Sequence, residues 1–215
     1  MLEHRTISLA EQVFDRLETD ILSGKYQRGD ILTELKLVND LGVSRTPIRE
    51  ALRRLEQEHI IEITPKGILV IGVSRKDLKD ILEIRMRIEG LAAYEAAKNI
   101  TDEQLEELRE TIELQEFYVP KHDADRINTM DSRFHQLIYR FSGSTALYDT
   151  LMPLHKKVNK FRLASVKNDV RSAYSSQEHR AIFEAIAAHD AELAEKYMVQ
   201  HISNAKVHIE SREND

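Results

Sequence analysis

The sequence contains no cysteine and few residues that interrupt helices. Without cysteine it can form neither a disulfide nor a thiolate metal site. Seven glycines and four prolines among 215 residues favour long helices. No apolar run approaches the roughly 18 residues of a membrane span, and the opening MLEHRTISLAEQ has no apolar stretch typical of a signal peptide. We therefore expect a cytoplasmic protein with no membrane partner.

The overall charge and one local charge cluster point in opposite directions. The net charge of −6, taken alone, argues against a nucleic-acid partner. Residues 44–54, SRTPIREALRR, nevertheless carry four arginines against one glutamate, a local charge of +3. A patch of this kind can bind phosphates even on an acidic protein. At 41% hydrophobic and 32% charged residues, the chain is otherwise typical of a globular protein.

Residues 1–73 have the element order of a winged helix-turn-helix. A capping box of Ser8 and Glu11 opens an amphipathic helix, and a second, short helix precedes the turn GVS. In that turn Gly42 permits a positive φ and Ser44 is expected to cap the third helix. IIEIT and GILVIGV then indicate two strands joined at PKG. Three helices and a β-hairpin are therefore predicted.

Residues 74–215 have almost no strand signal. SRKD at 74–77 and TDEQ at 101–104 are capping boxes that open amphipathic helices. Four further helical segments follow, separated at Pro120, at SGS and at HD. The predicted fold class is mostly α, with a C-terminal antiparallel bundle of about six helices.

The third helix carries the candidate DNA-binding side chains. Its arginines recur every four residues along one side, and arginine at the start of a recognition helix can bind guanine through two hydrogen bonds. The hairpin tip could approach an adjacent groove or the backbone. A solvated arginine face is the plainer alternative. The predicted DNA-binding residues are Ser44, Arg45, Thr46, Arg49, Arg53, Lys66 and Gly67.

Four polar side chains fall on the apolar faces of the C-terminal helices. Asp131 and His135 are four apart and share one helix face, while His179 and His201 lie on the inward stripes of two later helices. One divalent ion (Zn, Ni, Mn or Fe) would satisfy all four groups. The alternative is an internal hydrogen-bonded set, and His208 could substitute for a ligand. The other histidines are expected at surface or ordinary packing positions: His4, His59 and His155.

Arg85 lies on the inward stripe of its helix and needs an anion there. An internal ion pair with Glu89 or Glu95 would provide one. The alternative is a bidentate clamp for the carboxylate of a small effector molecule. Arg162 is a second candidate for the same pocket.

The stretch VNDLGVSRTPIREALRRLE resembles the signature of GntR-type bacterial transcription regulators, and the helical remainder resembles the C-terminal domain of their FadR-like branch. The resemblance places Arg45, Thr46, Arg49, Lys66 and Gly67 at DNA-contacting positions. Many such C-terminal domains hold a metal with one Asp and three His, which match DSRFH, SQEH and YMVQH here.

Two departures from the family pattern bear on DNA recognition. Leu35 stands where some members carry a DNA-contacting arginine, so that contact is expected to be missing. Lys66 stands where an arginine or histidine is common, which weakens any base reading by the wing.

The resulting hypothesis is a homodimeric transcription repressor, not an enzyme, that binds a palindromic double-stranded operator and responds to a small carboxylate beside a metal ion. Two alternatives stay open. The metal itself could be the signal, or the two HD dipeptides could belong to a metal-dependent hydrolase, although both read as helix starts.

Overall fold

The chain forms two compact units. They comprise Met1–Arg75 with Lys160–Ser165, and Lys76–Asn159 with Val166–Asp215. The computed structural model describes residues 7–165 and 169–211, apart from the side chains of residues 160–165, 169, 170, 172 and 210. No helix in these described ranges is long and apolar enough to cross a membrane.

The first unit opens with three helices: α1 (Leu9–Leu22), α2 (Glu34–Leu41) and α3 (Arg45–Gln57). Ser8 caps α1 by accepting a hydrogen bond from the backbone N–H of Glu11. Gly42 ends α2 at φ 66°, the left-handed conformation that the GVS turn predicts. Ser44 stands at the N-cap of α3, but its side chain makes no capping hydrogen bond, so that part of the prediction is wrong.

The same unit contains a three-stranded antiparallel sheet of order β1-β3-β2, whose first strand lies between α1 and α2 in the chain. Its strands are β1 (Ile31–Leu32), β2 (Ile61–Thr64) and β3 (Gly67–Val70). The sequence indicates the β2–β3 hairpin but not β1, because two residues are too few to show an alternating pattern. Gly67 lies at φ 131°, and a Cβ there would come within 2.7 Å of the Leu32 carbonyl oxygen. Packing against β1 therefore requires glycine at the hairpin tip.

The core of the first unit lies between its helices and its sheet. The inward residues of α3 are all buried, as their spacing predicts: Ile48, Ala51, Leu52 and Leu55. Arg54 is a fixed part of this packing, because it pairs with Glu11 and its guanidinium lies 3.9 Å from the ring centroid of Phe14. The Glu11 carboxylate of the predicted capping box is therefore engaged in an ion pair with Arg54.

The second unit is helical throughout its described residues. Its elements are α4 (Arg75–Asn99), α5 (Asp102–Tyr118), a one-turn 3-10 helix (Val119–Lys121), α6 (Ala124–Phe141), α7 (Thr145–Ser165), α8 (Asp169–Ala187) and α9 (Ala191–Ser211). The first residue of α4 and the last six of α7 are grouped with the first unit. Thr101 and Gln104 form both hydrogen bonds of the predicted capping box. The predicted fold class, a winged helix-turn-helix followed by a bundle of about six helices, is confirmed.

The inward faces of the bundle are largely as the spacing predicts. Phe134, Ile182 and Met198 are fully buried on α6, α8 and α9. Tyr197 is 37% exposed, because the buried stripe of α9 follows Ala194, Met198 and Ile202.

Helices α4 and α9 approach each other closely at Gly90. A Cβ at this position would lie 2.7 Å from Cγ2 of Val199 and 3.1 Å from Cγ of Glu195. Real carbon atoms do not approach so closely, and the branched Val199 side chain has little freedom to move away. Gly90 therefore permits the helix crossing.

We expect Gly90→Ala to destabilise the protein by about 1 kcal/mol, even though alanine is the better helix former by about 1 kcal/mol, because overpacking costs about 1–3 kcal/mol. Urea unfolding measures this change. In a Val199→Ala background the clashing methyl is gone, and the same substitution should become neutral or stabilising. An equal loss in both backgrounds would refute the close-contact explanation.

Candidate functional site

The exposed face of α3 carries the candidate DNA contacts. The side chains of Ser44, Arg45, Thr46, Arg49 and Arg53 are all exposed, opposite the buried face of the helix. Arg45, Arg49 and Arg53 thus project from one side at intervals of about one turn. Such a row of guanidinium groups can bind phosphates and guanine edges.

Two of the four arginines in the cluster already have ion-pair partners. The Arg54 pair with Glu11 lies on the half-buried side of α3 and holds α1 against it, so Arg54 is a structural residue. Arg49 donates from Nε to both carboxylate oxygens of Glu34, at 3.0 Å each. Both side chains of this second pair are exposed, so water screens their attraction and the pair is exchangeable. Arg45 and Arg53 form no ion pair within the described part of the chain.

The hairpin tip presents Lys66 beside Gly67. Lys66 is exposed, and its backbone N–H donates to the Thr64 hydroxyl at 3.2 Å, while that hydroxyl donates to the Gly67 carbonyl at 2.9 Å. Glu56 of α3 accepts from the backbone N–H of Ile63 at 2.9 Å. The wing is thereby fixed to the recognition helix, and Lys66 is placed as a positive charge at its end.

The four predicted metal ligands meet inside the second unit. Asp131 and His135 project from α6, His179 from α8 and His201 from α9, and none is more than 3% exposed. One nitrogen from each histidine lies within 4.8 Å of the other two. The structure therefore brings the three histidines together, with Asp131 beside His179, and their role as metal ligands stays a prediction.

The Nε2 atoms of His179 and His201 face each other. The Nδ1 of His179 lies 2.8 Å from Oε1 of Gln115, and the Nδ1 of His201 lies 2.7 Å from Oε2 of Glu178. With the Gln115 carbonyl and the Glu178 carboxylate as acceptors, both rings carry their proton on Nδ1, and the Nε2 atoms then carry lone pairs. These two Nε2 atoms are 3.3 Å apart. Two facing lone pairs repel unless a cation lies between them or one ring gains a second proton.

That spacing fits two ligands of one ion. A metal about 2.1 Å from each nitrogen places them about 3.0–3.4 Å apart, for angles from a right angle to the tetrahedral angle. Oδ1 of Asp131 lies 3.9 Å from Nε2 of His179, on the same cluster. The Ser175 hydroxyl donates to this oxygen at 3.5 Å, a long hydrogen bond.

The third imidazole lies against a carboxylate from another helix. Oε2 of Glu89, on α4, lies 3.1 Å from Nδ1 of His135, and both residues are at most 1% exposed. His135 lies beside the other two imidazoles, with its ring centroid 5.1 Å from that of His179 and 5.2 Å from that of His201. His179 and His201 thus have hydrogen-bond partners on Nδ1, as in known metal sites, whereas Nδ1 of His135 lies near a carboxylate without forming a hydrogen bond to it.

The protonation states of Glu178 and His201 suit a metal-binding imidazole with a carboxylate partner. Partial burial would raise the pKa of Glu178, but hydrogen bonds from His201, Arg171 and Asn204 lower it to about 2. Burial lowers the pKa of His201 below its usual value, against the opposing effect of Glu178. Glu178 is therefore ionised and His201 neutral at pH 7, the states in which a carboxylate orients a metal-binding imidazole.

Arg85 forms the ion pair that was one of its two predicted roles. Its Nε donates to Oε1 of Glu89, one turn further along α4, and its Nη2 donates to Nδ1 of His155 at 3.2 Å. The second predicted role, an effector contact, stays a prediction. Arg162 lies in α7, and its side chain is outside the described residues.

His155 corrects one expectation from the sequence. It was predicted at an ordinary packing or surface position. It is instead part of the buried polar cluster: it is 2% exposed, and its ring centroid lies 5.0 Å from that of His135. Burial, and then the Arg85 charge, hold the pKa of His155 well below its usual value, so the ring is neutral. His59 is exposed as expected, and His4 lies outside the described residues.

Sequence reasoning also missed Gln115 and Glu178. Gln115 lies on the buried stripe of α5, three residues after Ile112, and its inward position was visible in the helical spacing. Glu178 precedes His179 and is half-buried, at the edge of the inward face of α8. No sequence signal identifies Glu178, because its partners His201 and Asn204 come from α9.

Comparisons with known protein families agree with both units. Residues 9–70 match the family described as bacterial regulatory proteins, gntR family, and residues 80–204 match the FCD domain. A winged helix-turn-helix joined to such a domain defines a class of DNA-binding transcription regulators. The chain belongs to the GntR family, in its FadR-like branch with an FCD domain, and is a regulator, not an enzyme.

Relatives cover nearly the whole chain. An uncharacterised HTH-type transcriptional regulator of Bacillus subtilis, YdhC, is 28% identical over 92% of this chain and 89% of its own length. The gluconate operon transcriptional repressor of Bacillus licheniformis is 28% identical over 94% of this chain and 86% of its own. The solved structure of E. coli McbR/YncC matches with a TM-score of 0.80 and 25% identity, over 97% of this chain and all of that one.

We expect Arg49→Ala to weaken specific DNA binding about 5- to 150-fold, because a bidentate guanidinium contact to a base would be lost. Fluorescence anisotropy, at fixed salt and on a duplex selected by the wild-type protein from random sequences, measures the change. Arg16→Ala is the matched control, since Arg16 is exposed on α1 and pairs only with Asp20. Unchanged affinity of the Arg49 variant would refute the recognition-helix assignment.

Proposed function

We propose that this protein is a cytoplasmic, homodimeric transcription repressor that binds a palindromic operator through α3 and the wing. In this proposal its FCD domain binds one divalent transition metal (Zn, Ni, Mn or Fe) through Asp131, His135, His179 and His201, and a small carboxylate effector beside the metal. Relatives named as repressors support the direction of regulation. A two-fold dimer suits the symmetric half-sites that helix-turn-helix proteins commonly read.

One observation carries the metal assignment. The Nε2 atoms of His179 and His201 face each other at 3.3 Å, while Gln115 and Glu178 occupy their Nδ1 atoms. Burying facing lone pairs without a cation is unfavourable. One imidazolium would also remove the repulsion, but burial opposes a charged His201. Imidazole nitrogens with one carboxylate suit a first-row transition metal.

A carboxylate effector fits the same centre. Arg85 is a buried guanidinium, and its partner Glu89 also lies against His135, so Arg85 would hold the effector carboxylate close to the metal site. A bound divalent ion with these four ligands would offer an open coordination position to another oxygen of the effector. The gluconate operon repressor among the relatives is named for an operon of a small hydroxycarboxylate, which supports this ligand class.

Regulation then requires that the effector distinguish two states of the protein. A ligand shifts an equilibrium only by the difference between its affinities for the two states. The effector would therefore bind the DNA-free and DNA-bound forms with different affinity, and DNA would alter effector affinity by the same factor.

A second candidate function is that the metal itself is the signal. The Arg85–Glu89 pair favours this reading, because it already gives the guanidinium an anion without an effector. A metal sensor should exchange its ion within the range that a cell regulates, and its DNA affinity should change when the metal is removed. A carboxylate that changes DNA affinity at constant metal saturation supports the first candidate instead.

We expect the untagged protein, purified without chelator, to hold about one transition-metal ion per chain by elemental mass spectrometry, and His135→Ala to lose it. Since the ion satisfies buried groups, removing it should also lower the free energy of unfolding. The loss should be about 3 kcal/mol relative to protein kept at a free metal concentration of about 100 times the Kd. Thermal and urea unfolding with and without chelator measure this loss.

His59→Asn is the control for that experiment. His59 is exposed in the first unit at φ 57°, a conformation that asparagine tolerates, and its loss should leave the metal content unchanged. Protein that stays metal-free after incubation with Zn, Ni and Mn would refute the metal site and make the four residues an internal polar cluster.

A further inference from the structure

Glu89 is shared between two groups with different proposed roles. It is fully buried on α4, where Oε1 accepts from Nε of Arg85 and Oε2 lies 3.1 Å from Nδ1 of His135. The buried ion pair with Arg85 makes Glu89 a negative charge between the guanidinium and a predicted metal ligand.

Glu89 is also the one anion that Arg85 contacts among the described residues. The other close partner of Arg85 is His155, a neutral ring that accepts from Nη2 at 3.2 Å. The Tyr139 hydroxyl is buried nearby, and burial together with the Glu89 charge raises the pKa of Tyr139, so it too stays neutral. A second carboxylate arriving at Arg85 would therefore compete with Glu89.

We propose that Glu89 is an internal competitor of the effector, occupying Arg85 where the effector carboxylate would bind, and that through His135 it links effector binding to metal binding. This inference rests on the proposed function. In the absence of effector, Glu89 keeps the buried guanidinium paired. When the effector carboxylate takes Arg85, Glu89 becomes free to interact more fully with His135.

The energetics suit a competitor better than a passive packing residue. Leaving a buried guanidinium without an anion is strongly unfavourable, whereas exchanging one carboxylate for another preserves the pair. Only a ligand that brings its own anion can therefore displace Glu89. The cost of displacement lowers the affinity for every carboxylate, and selects those with additional contacts.

Replacing the charge of Glu89 should move two affinities in opposite directions. In Glu89→Gln the side chain keeps its size, but Arg85 loses its internal anion, so an external carboxylate should bind more tightly. His135 loses the charged group beside its Nδ1, so metal should bind more weakly. A residue with a role in packing alone would weaken both or change neither.

The experiment uses the full-length protein and two measurements. Competition with a zinc-binding dye gives the zinc Kd, and calorimetry on zinc-saturated protein gives the Kd for acetate, L-lactate and D-gluconate. For Glu89→Gln we expect zinc binding about 10- to 100-fold weaker. We also expect at least one of these carboxylates to bind about 10-fold tighter, the gain for removing a competing buried charge.

Two further variants separate the contributions. Glu107→Gln removes a carboxylate of the same unit that pairs with Arg133 and Arg140 on the surface, and it should change neither Kd. Arg85→Gln/Glu89→Gln removes both members of the buried pair, so its fold should survive even where Glu89→Gln alone does not. The double variant should bind zinc as weakly as Glu89→Gln but show no gain in carboxylate affinity.

The outcomes distinguish this inference from the function on which it rests. If wild type binds zinc and a carboxylate, but Glu89→Gln changes both Kd values in the same direction or neither, the competitor role is wrong and the proposed function stands. An unchanged zinc Kd in the double variant refutes the link through His135. If wild type binds neither zinc nor any of the three carboxylates, the proposed function fails and this inference fails with it.

Discussion

The need to partner imidazoles that water cannot reach governs the second unit. His135, His179 and His201 lie at the centre of a helical bundle, where each ring nitrogen must find a donor, an acceptor or an ion. The Nδ1 atoms of His179 and His201 find theirs on Gln115 and Glu178, and Nδ1 of His135 lies 3.1 Å from a Glu89 oxygen. The Nε2 atoms of His179 and His201 face each other at 3.3 Å. A single cation is the simplest group that satisfies them together.

This requirement also ties the helices to one another. Glu89 of α4 lies against a side chain of α6, Gln115 of α5 orients one of α8, and Glu178 of α8 orients one of α9. If the proposed ion is bound, its loss would leave the lone pairs facing each other and weaken contacts between all of these helices. The proposed function therefore links metal binding to bundle stability, since a ligand set that forms only on folding converts binding energy into folding energy.

The sequence predicts whatever depends on local periodicity, and misses what depends on contacts between distant segments. Asp131 and His135 could be placed inside the bundle because they share a stripe with Phe134, and the α3 arginines because their spacing opposes Ile48 and Leu52. Strand β1 was missed because its pairing with β3 alone defines it. His155 was misplaced because Arg85, 70 residues away in sequence, is what makes its buried position favourable.

Gly67 is a residue that the sequence identifies, but the reason for it depends on a contact with a distant segment. The sequence identifies a glycine at the wing tip, and a close approach to DNA is a sensible reason for it. The structure supplies another reason, since the Leu32 carbonyl of β1 fills the space where a side chain would begin. The glycine is required by the fold whether or not DNA comes near, so its presence alone carries no information about recognition.

Two arginine–glutamate pairs in this chain differ chiefly in burial, and the difference decides what each can do. Arg49 and Glu34 are 58% and 36% exposed, so water replaces either partner readily and DNA can take Arg49 at little cost. Arg85 and Glu89 are 5% and 0% exposed, and there a broken pair leaves an uncompensated charge in a medium of low polarity. The surface pair is suited to rapid exchange among DNA sites. In the proposed function the buried pair would open only to a ligand that carries its own negative charge, and this would make the site selective for anions.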